Sequence, residues 1–341
     1  MLSRVATLGM TMVLLATFVI PASGAEPQFL PSFGGGTAWF NTKPLSADDV
    51  RNKVVLVDFF DYTSLGSLRA LPYLSEWHKR YADYGLVIVT VFASDLEFAG
   101  NSGNAAAAVK KFGITWPVVL DGKKAIGERY GASYAPHMLL FDRNGFRIGS
   151  VVGETNYPDV ETVIQQMLLA THPDQKFEPV MPLLPKDNYD KPNAITYPRT
   201  ASIRLESGGR TIANPPSDLY GENTNYLDTR PPHEDGRVYL QGRWKQGGDA
   251  IDFGGETGYL ALHYHAVEVS SIMRPQRVPV TVIVTQNGKP VDKSDAGSDI
   301  QYDAQGQSYV LVDSGRAYDL ILNKRWGTYD LRLYPRASGL A

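Results

Sequence analysis

The chain has 341 residues, of which 43% are hydrophobic and 20% charged, a balance typical of a globular protein long enough for two domains. Its formal net charge of −3 gives no reason to expect nucleic acid as a partner. The sequence contains no cysteine, which excludes disulfide bonds, thiolate metal sites and thiol chemistry by this chain alone. No residue pattern indicates a metal or another cofactor, so we expect none.

The first 25 residues have the pattern of a secretory signal peptide. Arg4 supplies a positive charge, residues 5–20 form an apolar run, and small residues follow up to Ala25. The alternative is an uncleaved anchor helix, but the run is short for a membrane span of about 20 residues. The sequence therefore predicts a periplasmic or secreted protein without stable membrane insertion after cleavage.

From residue 54 the chain alternates between strand and helix patterns. The β-branched and aromatic run 54–60 is typical of a strand buried on both faces of a sheet. Further strands are expected at 86–92, 118–120, 138–142 and 147–152, the last two joined by a turn at Asn144-Gly145. Helices are expected at 67–84, 105–112, 124–130 and 160–169. We therefore predict an α/β domain over residues 26–170.

A short serine motif, Ser64-x-x-Ser67, follows the first long strand and precedes the first helix. Serine is a favoured N-cap residue, so the simplest interpretation is that these hydroxyls cap the helix. A serine nucleophile would need a base, and His137 is the only candidate by topology. Because the chain lacks a Gly-x-Ser-x-Gly elbow around these serines and a spaced acid to orient the histidine, we do not favour a hydrolase.

The first domain resembles the TlpA/DipZ-like redoxins, which have a thioredoxin-like fold. The resemblance covers roughly residues 30–170 and is carried by the β-α-β-α-β-α-β-β-α order together with several segments. These segments are 52–60, Leu71-Pro72-Tyr73-Leu74, 84–88, 112–118 and 134–139.

The resemblance implies roles for four residues of a degenerate redox site. Ser64 and Ser67 occupy the positions of the two redox cysteines of the family. Asp58 matches the buried acid that assists proton transfer, and Pro136 matches the cis-proline that faces the disulfide. Serine oxygens cannot run thiol–disulfide exchange, so Asp58 is left as a buried carboxylate, expected to have a raised pKa unless it is paired. Tyr62 and His137 are candidate binding residues beside this site.

Residues 171–198 are rich in proline, which predicts a semi-rigid linker to a second domain at 199–341. That domain shows short alternating runs separated by glycine-containing turns, typical of an all-β sandwich or jelly roll. Strands are expected at 202–205, 238–244, 250–253, 259–264, 267–269, 278–285, 309–311, 318–322 and 329–334.

The second half resembles the carbohydrate-binding-module-like domain appended to DipZ-like proteins. The matching signs are Gly242-Arg243-Trp244, the strand before Asn287-Gly288, and the closing strand. Trp244 and Trp326 are the candidate aromatic platforms for a sugar, although aromatic residues on such strands commonly fill the core. His263 and His265 share a strand face, but no third ligand at a recognisable spacing supports a metal site.

Three functional hypotheses remain open at this stage. The first is an exported, non-redox module that binds a protein, peptide or other ligand. The second is a thiol-disulfide oxidoreductase or antioxidant redoxin seen as a cysteine-less relative or as a Cys→Ser trap. The third is a glycan-binding protein whose first domain is a spacer.

Overall fold

The computed structural model describes residues 29–46, 48–154, 157–184, 198–205, 211–217, 224–229, 232–247 and 250–341. The expected signal peptide and residues 185–197 of the expected linker lie outside the described residues. Within the described ranges, no helix is both long enough and apolar enough to cross a membrane.

The first domain is built on a six-stranded sheet with helices on both faces. Its strand order is β1-β4-β3-β2-β5-β6, with β2, β3 and β4 parallel and β5 antiparallel to β2. The strands are β1 (Ala38–Phe40), β2 (Val54–Phe60), β3 (Leu86–Phe92), β4 (Val118–Leu120), β5 (His137–Phe141) and β6 (Arg147–Val152). The helices are α1 (Leu65–Tyr81), α2 (Ser102–Lys111), α3 (Ala125–Tyr130) and α4 (Tyr157–Leu169).

The central strand β2 is buried along its whole length, as its apolar run predicts. Leu56 and Phe60 pack in one cluster with residues of α1, α2 and α4. Val57 and Phe59 pack on the opposite face with residues of α3. Successive side chains of a strand point to opposite faces of the sheet. The seven residues of β2 therefore pack against helices on both faces.

The chain after α4 runs along the first domain instead of leaving it. Phe177 packs edge-on against the rings of Tyr81 and Tyr84. The N–H of Met181 donates to the carboxylate of Glu161 (2.7 Å), and the N–H of Leu184 donates to the Tyr73 hydroxyl (2.8 Å). The described part of the proline-rich segment, 171–184, is therefore fastened to α1 and α4.

The second domain is made almost entirely of antiparallel strands. An eight-stranded sheet has the order β13-β14-β11-β16-β9-β8-β7, with β12 paired to β11, and a separate two-stranded sheet joins β10 to β15. The strands are β7 (Thr224–Tyr226), β8 (Val238–Gln246), β9 (Ile251–His265), β10 (Glu268–Met273), β11 (Val280–Gln286), β12 (Lys289–Pro290), β13 (Gln301–Tyr302), β14 (Ser308–Val312), β15 (Arg316–Leu322) and β16 (Thr328–Pro335). Side chains of both sheets share one core, which confirms the predicted fold class.

Two expectations about the strands of the second domain are wrong: one strand boundary and one whole strand. The pair Gly254-Gly255 does not end a strand, because β9 runs through it from Ile251 to His265. At Gly258, farther along β9, glycine lets the backbones of β8 and β9 approach closely. A Cβ at this position would lie 2.3 Å from the carbonyl oxygen of Gln241. Residues 202–205 are described but form no strand, although Ile203 and Leu205 still pack against the core.

Replacing Glu161 with alanine should destabilise the first domain. This carboxylate is fully buried and accepts hydrogen bonds from the Tyr81 hydroxyl, Arg80 and the Met181 N–H. Each donor left unsatisfied costs about 1–3 kcal/mol, so Glu161→Ala should lower the free energy of unfolding by at least about 2 kcal/mol in urea titrations. The matched control is Glu178→Ala, since Glu178 is exposed and lies 3.7 Å from Arg80. Equal losses in the two variants would contradict a structural role for Glu161.

Candidate functional site

The turn between β2 and α1 is organised by the carboxylate of Asp61. It accepts hydrogen bonds from the N–H (2.8 Å) and hydroxyl (2.6 Å) of Thr63 and from the Ser94 hydroxyl (3.1 Å). The Ser64 N–H donates to the Asp61 carbonyl (2.9 Å). Side chains of this kind offer the backbone a tight turn, and this one sets the point at which α1 begins.

Ser64 and Ser67 occupy the beginning of α1, but their hydroxyls do not cap it as expected. Ser64 is the N-cap residue by position, and its side chain makes no capping hydrogen bond. Ser67 is completely buried, and its hydroxyl accepts a hydrogen bond from the Asp61 N–H (3.2 Å). The capping prediction is wrong because the hydroxyl of Ser67 binds the preceding turn rather than the first amides of the helix.

Asp58 lies in β2 beneath this turn and is completely buried. Burial raises the pKa of its carboxyl group to about 7, against a weak opposing hydrogen bond (3.4 Å) from the Thr90 hydroxyl. Thr90 in turn accepts from the indole N–H of Trp116 (2.8 Å). The Asp58 Oδ1 atom has no hydrogen-bond donor among the described residues. A carboxylic acid in this position is therefore protonated below neutrality.

Pro136 closes the site from the opposite side. The Ala135–Pro136 peptide bond is cis, as expected. A Cβ built on Gly66 would lie 3.4 Å from Pro136 Cδ, so the proline stands against the first turn of α1. Tyr134, beside it, is 74% exposed. Sequence reasoning missed Tyr134, whose only signal is an aromatic residue two positions before the proline.

Tyr62 and His137, the candidate binding residues beside the site, are both turned away from it. Tyr62 is buried, and its hydroxyl donates to the carbonyl of Ala99 (3.1 Å). His137 pairs across the strands with Phe59, on the sheet face opposite Asp58 and α1. Its Nε2 lies 2.7 Å from the Ser150 hydroxyl, and burial lowers its pKa. In this structure His137 is not placed to act as a base for either serine.

The two tryptophans proposed as sugar platforms differ in exposure. Trp244 is only 3% exposed; its ring packs against Phe253 and its N–H donates to the Gln241 carbonyl. It is part of the core, where a sugar cannot reach its face. Trp326 is 37% exposed and donates to the carbonyl of Pro198 (2.6 Å).

The histidines of β9 are each held by a carboxylate. His263 Nδ1 lies 2.8 Å from Asp330, and His265 Nδ1 lies 2.9 Å from Asp235. Over the described part of the chain, no group of three or more histidine, aspartate or glutamate side chains is arranged to hold a metal ion.

Arg69 links the site to the second domain, a role that sequence reasoning missed. Its guanidinium group, with a side chain 9% exposed, donates to both carboxylate oxygens of Glu154 (3.0 and 2.9 Å) and to Glu268 of β10 (2.5 Å). Burial disfavours the charged form, but the two glutamates outweigh it and raise the Arg69 pKa. Glu154 also lies beside Gly66, which is in the first turn of α1, two residues after Ser64. Arg69 therefore ties α1, the segment after β6 and β10 together.

Contacts farther along also join the two domains. Lys111 of α2 forms an ion pair with Asp299, which Arg316 holds through two 3.0 Å hydrogen bonds. Arg274 lies over the ring of Phe98. A cavity of about 1470 Å³ begins as a cleft between the domains and extends into the second domain. The cleft is lined on one side by Ser64, Gly66, Tyr134 and Pro136 and on the other by residues 267–274.

Two family models match the chain in the order expected. A model described as "Redoxin" matches residues 28–164, and one described as "Thioredoxin like C-terminal domain" matches residues 208–341. The chain is therefore similar to redoxins over residues 28–164 and to a thioredoxin-like C-terminal domain over residues 208–341. Ser64 and Ser67 lie within the part of the chain that the redoxin model matches.

Individual proteins are similar to parts of this chain. "Protein DipZ" of Mycobacterium tuberculosis is 29% identical over 269 residues, covering 76% of this chain and 36% of that protein. "Thiol-disulfide oxidoreductase ResA" of Bacillus anthracis is 25% identical over 126 residues, covering 37% of this chain and 69% of that protein. The chain thus spans about a third of the length of DipZ. Among solved structures, a thiol-disulfide isomerase from Corynebacterium glutamicum is 19% identical with a TM-score of 0.38, covering 41% of this chain and 96% of that one.

Replacing Asp58 with asparagine should stabilise the protein at alkaline pH. The folded-state pKa of about 7 lies above the ordinary value of 3.8, so the folded protein binds the proton more tightly than the unfolded chain. The contribution of Asp58 to the free energy of unfolding is therefore largest at low pH, and it is lost as the pH rises through about 7. Asp58→Asn avoids this loss, and we expect a gain of up to about 4 kcal/mol at pH 8 that shrinks on acidification.

Urea unfolding at several pH values measures this difference. Asp292→Asn is the control: Asp292 is exposed, and hydrogen bonds from Ser294 lower its pKa, so its replacement should bring no gain at pH 8. A parent and an Asp58→Asn variant of equal stability at pH 8 would contradict a buried, ionised Asp58.

Proposed function

We propose that this redoxin-family chain is an exported binding module that holds polypeptide at its degenerate redox site and does not exchange disulfides itself. The observation that carries the proposal is the occupation of both cysteine positions at the start of α1 by Ser64 and Ser67. Export is inferred from the sequence pattern of residues 1–25.

The loss of redox activity follows from the chemistry of oxygen. Thiol–disulfide exchange needs sulfur both as the attacking thiolate and as the leaving group. A serine hydroxyl stays protonated at physiological pH and forms no disulfide. The chain contains no cysteine at any position, so no other thiol can take over this chemistry.

Binding is supported by the surfaces that remain when the sulfurs are absent. Tyr134 is exposed beside Pro136, and the first turn of α1 lines the same cleft. An exposed aromatic side chain at a concave surface is a common anchor for a bound polypeptide. The ResA relative carries the name of a thiol-disulfide oxidoreductase. In this proposal the chain binds polypeptide at the same site but does not carry out thiol–disulfide exchange.

The alternative is that the chain is an oxidoreductase whose cysteines have been replaced, either in nature or to trap a complex. Restoration of sulfur tests whether the site retains redox surroundings. In the variant Ser64→Cys/Ser67→Cys, a site that retains its redox surroundings should lower the pKa of one thiol well below about 8.5, because it lies at a helix N-terminus.

Reduction of insulin by dithiothreitol, followed by turbidity, tests the absence of activity. The parent should not accelerate the reaction, whereas Ser64→Cys/Ser67→Cys should accelerate it. Ser64→Cys alone is the control, because one cysteine cannot close an intramolecular disulfide. Acceleration by the parent would sink the proposal.

Binding is measured separately, by fluorescence anisotropy with a labelled, reduced and carboxymethylated protein that stays unfolded. We expect Tyr134→Ala to weaken binding about five- to tenfold, the effect of removing one anchoring aromatic ring. Val278→Ala is the control, since Val278 is 65% exposed and lies outside the cleft. An unfolded protein that fails to bind the parent at all would overturn the binding role.

A further inference from the structure

The wall of the cleft on the second domain carries an open strand edge. β10 is paired with β15 along one side only, and no strand of the described ranges pairs with its other edge over residues 268–273. Directly after β10, Arg274 exchanges two backbone hydrogen bonds with Ala341, so the open edge ends there. Residues 267–274, which include the whole of β10, line the cleft. An unpaired edge presents a row of N–H and C=O groups that can accept an added extended chain.

The opposite wall presents the start of α1 without a capping side chain. The Ser64 side chain makes no capping hydrogen bond, and the first turn contains no acidic residue. A helix N-terminus carries a positive partial charge that favours anionic groups nearby. This feature adds to the charge of the cleft but does not by itself define a site.

The charged side chains of the cleft leave it positive, although the whole chain has a net charge of −3. Seven lysine and arginine residues line it, against five carboxylates. Glu154 and Glu268 are neutralised in part by Arg69, and Asp95 is paired with Lys124 and Arg204.

The remaining two carboxylates, Asp61 and Asp121, accept hydrogen bonds from neighbouring donors. Arg199 and Arg325 are exposed at the rim, and within the described ranges neither forms an ion pair. The free charge that faces an incoming ligand is therefore cationic.

We infer that the cleft binds an extended, acidic polypeptide segment that adds as a strand to the open edge of β10. This inference rests on the proposed binding function and adds to it a second wall, a binding mode and a charge preference. A six-residue strand spans about 20 Å. Main-chain hydrogen bonds to β10 would supply affinity, and Arg199 and Arg325 would select acidic side chains.

The test uses two fluorescein-labelled 12-residue peptides and the full chain. One peptide alternates valine with glutamate, and the other alternates valine with lysine. We expect the glutamate peptide to bind at least about tenfold more tightly at low salt, with the difference shrinking as salt screens the exposed charges. Hydrogen exchange of the β10 amides should slow when the glutamate peptide binds.

Charge-reversal variants separate the rim from the rest of the surface. Arg199→Glu/Arg325→Glu should weaken binding of the glutamate peptide about five- to tenfold. The matched control is Arg277→Glu/Arg336→Glu, two exposed arginines outside the cleft, which should leave the affinity unchanged.

The outcomes distinguish this inference from the proposed function. If the unfolded protein binds but the β10 amides are not protected, or both labelled peptides bind equally, the inference is wrong and the binding function stands. If an acidic oligosaccharide binds at the rim and neither peptide does, the inference is also wrong. Failure of every polypeptide probe overturns both.

Discussion

The buried guanidinium group of Arg69 is the constraint on which the arrangement of the two domains depends. A cation removed from water is stable only where carboxylates surround it, and one of its two partners, Glu268, lies in the other domain. Separating the domains would leave Arg69 without one of its two charge partners. Because Arg69 lies two residues after Ser67, the same side chain that joins the domains also fixes the second domain over the degenerate site.

The site at the start of α1 is shaped by polar contacts within one turn and by close packing against Pro136. The Asp61 carboxylate holds the turn, the Ser67 hydroxyl accepts the Asp61 N–H, and Gly66 stands close to Pro136. Asp58 retains its place beneath the turn with a partly unsatisfied carboxyl group, a costly arrangement when the group is ionised. The buried acid therefore lowers the free energy of unfolding at any pH at which it is ionised.

Much of the first domain could be predicted from the sequence, because its signals are local. The apolar run of β2 and the helical spacing of α1 both predicted elements that the structure contains. Contacts between distant residues could not be predicted: Arg69 and Glu268 are 199 positions apart, and neither has an unusual neighbourhood in the sequence. His137 was misplaced for a related reason, since one step along a strand exchanges the two faces of a sheet. In the second domain, glycines that permit close backbone approach within β9 were taken for turns.

The segment after α4 changes where the first domain ends as a folding unit. The family model ends at residue 164, yet the N–H groups of Met181 and Leu184 satisfy a buried carboxylate and a buried tyrosine hydroxyl of α4 and α1. A chain cut at the end of α4 would expose the apolar surface under Phe177 and remove one hydrogen-bond donor from each of these polar groups. Segment 171–184 has the composition of a linker, yet it packs against the first domain and holds α1 to α4. The boundary between the domains therefore lies beyond residue 184.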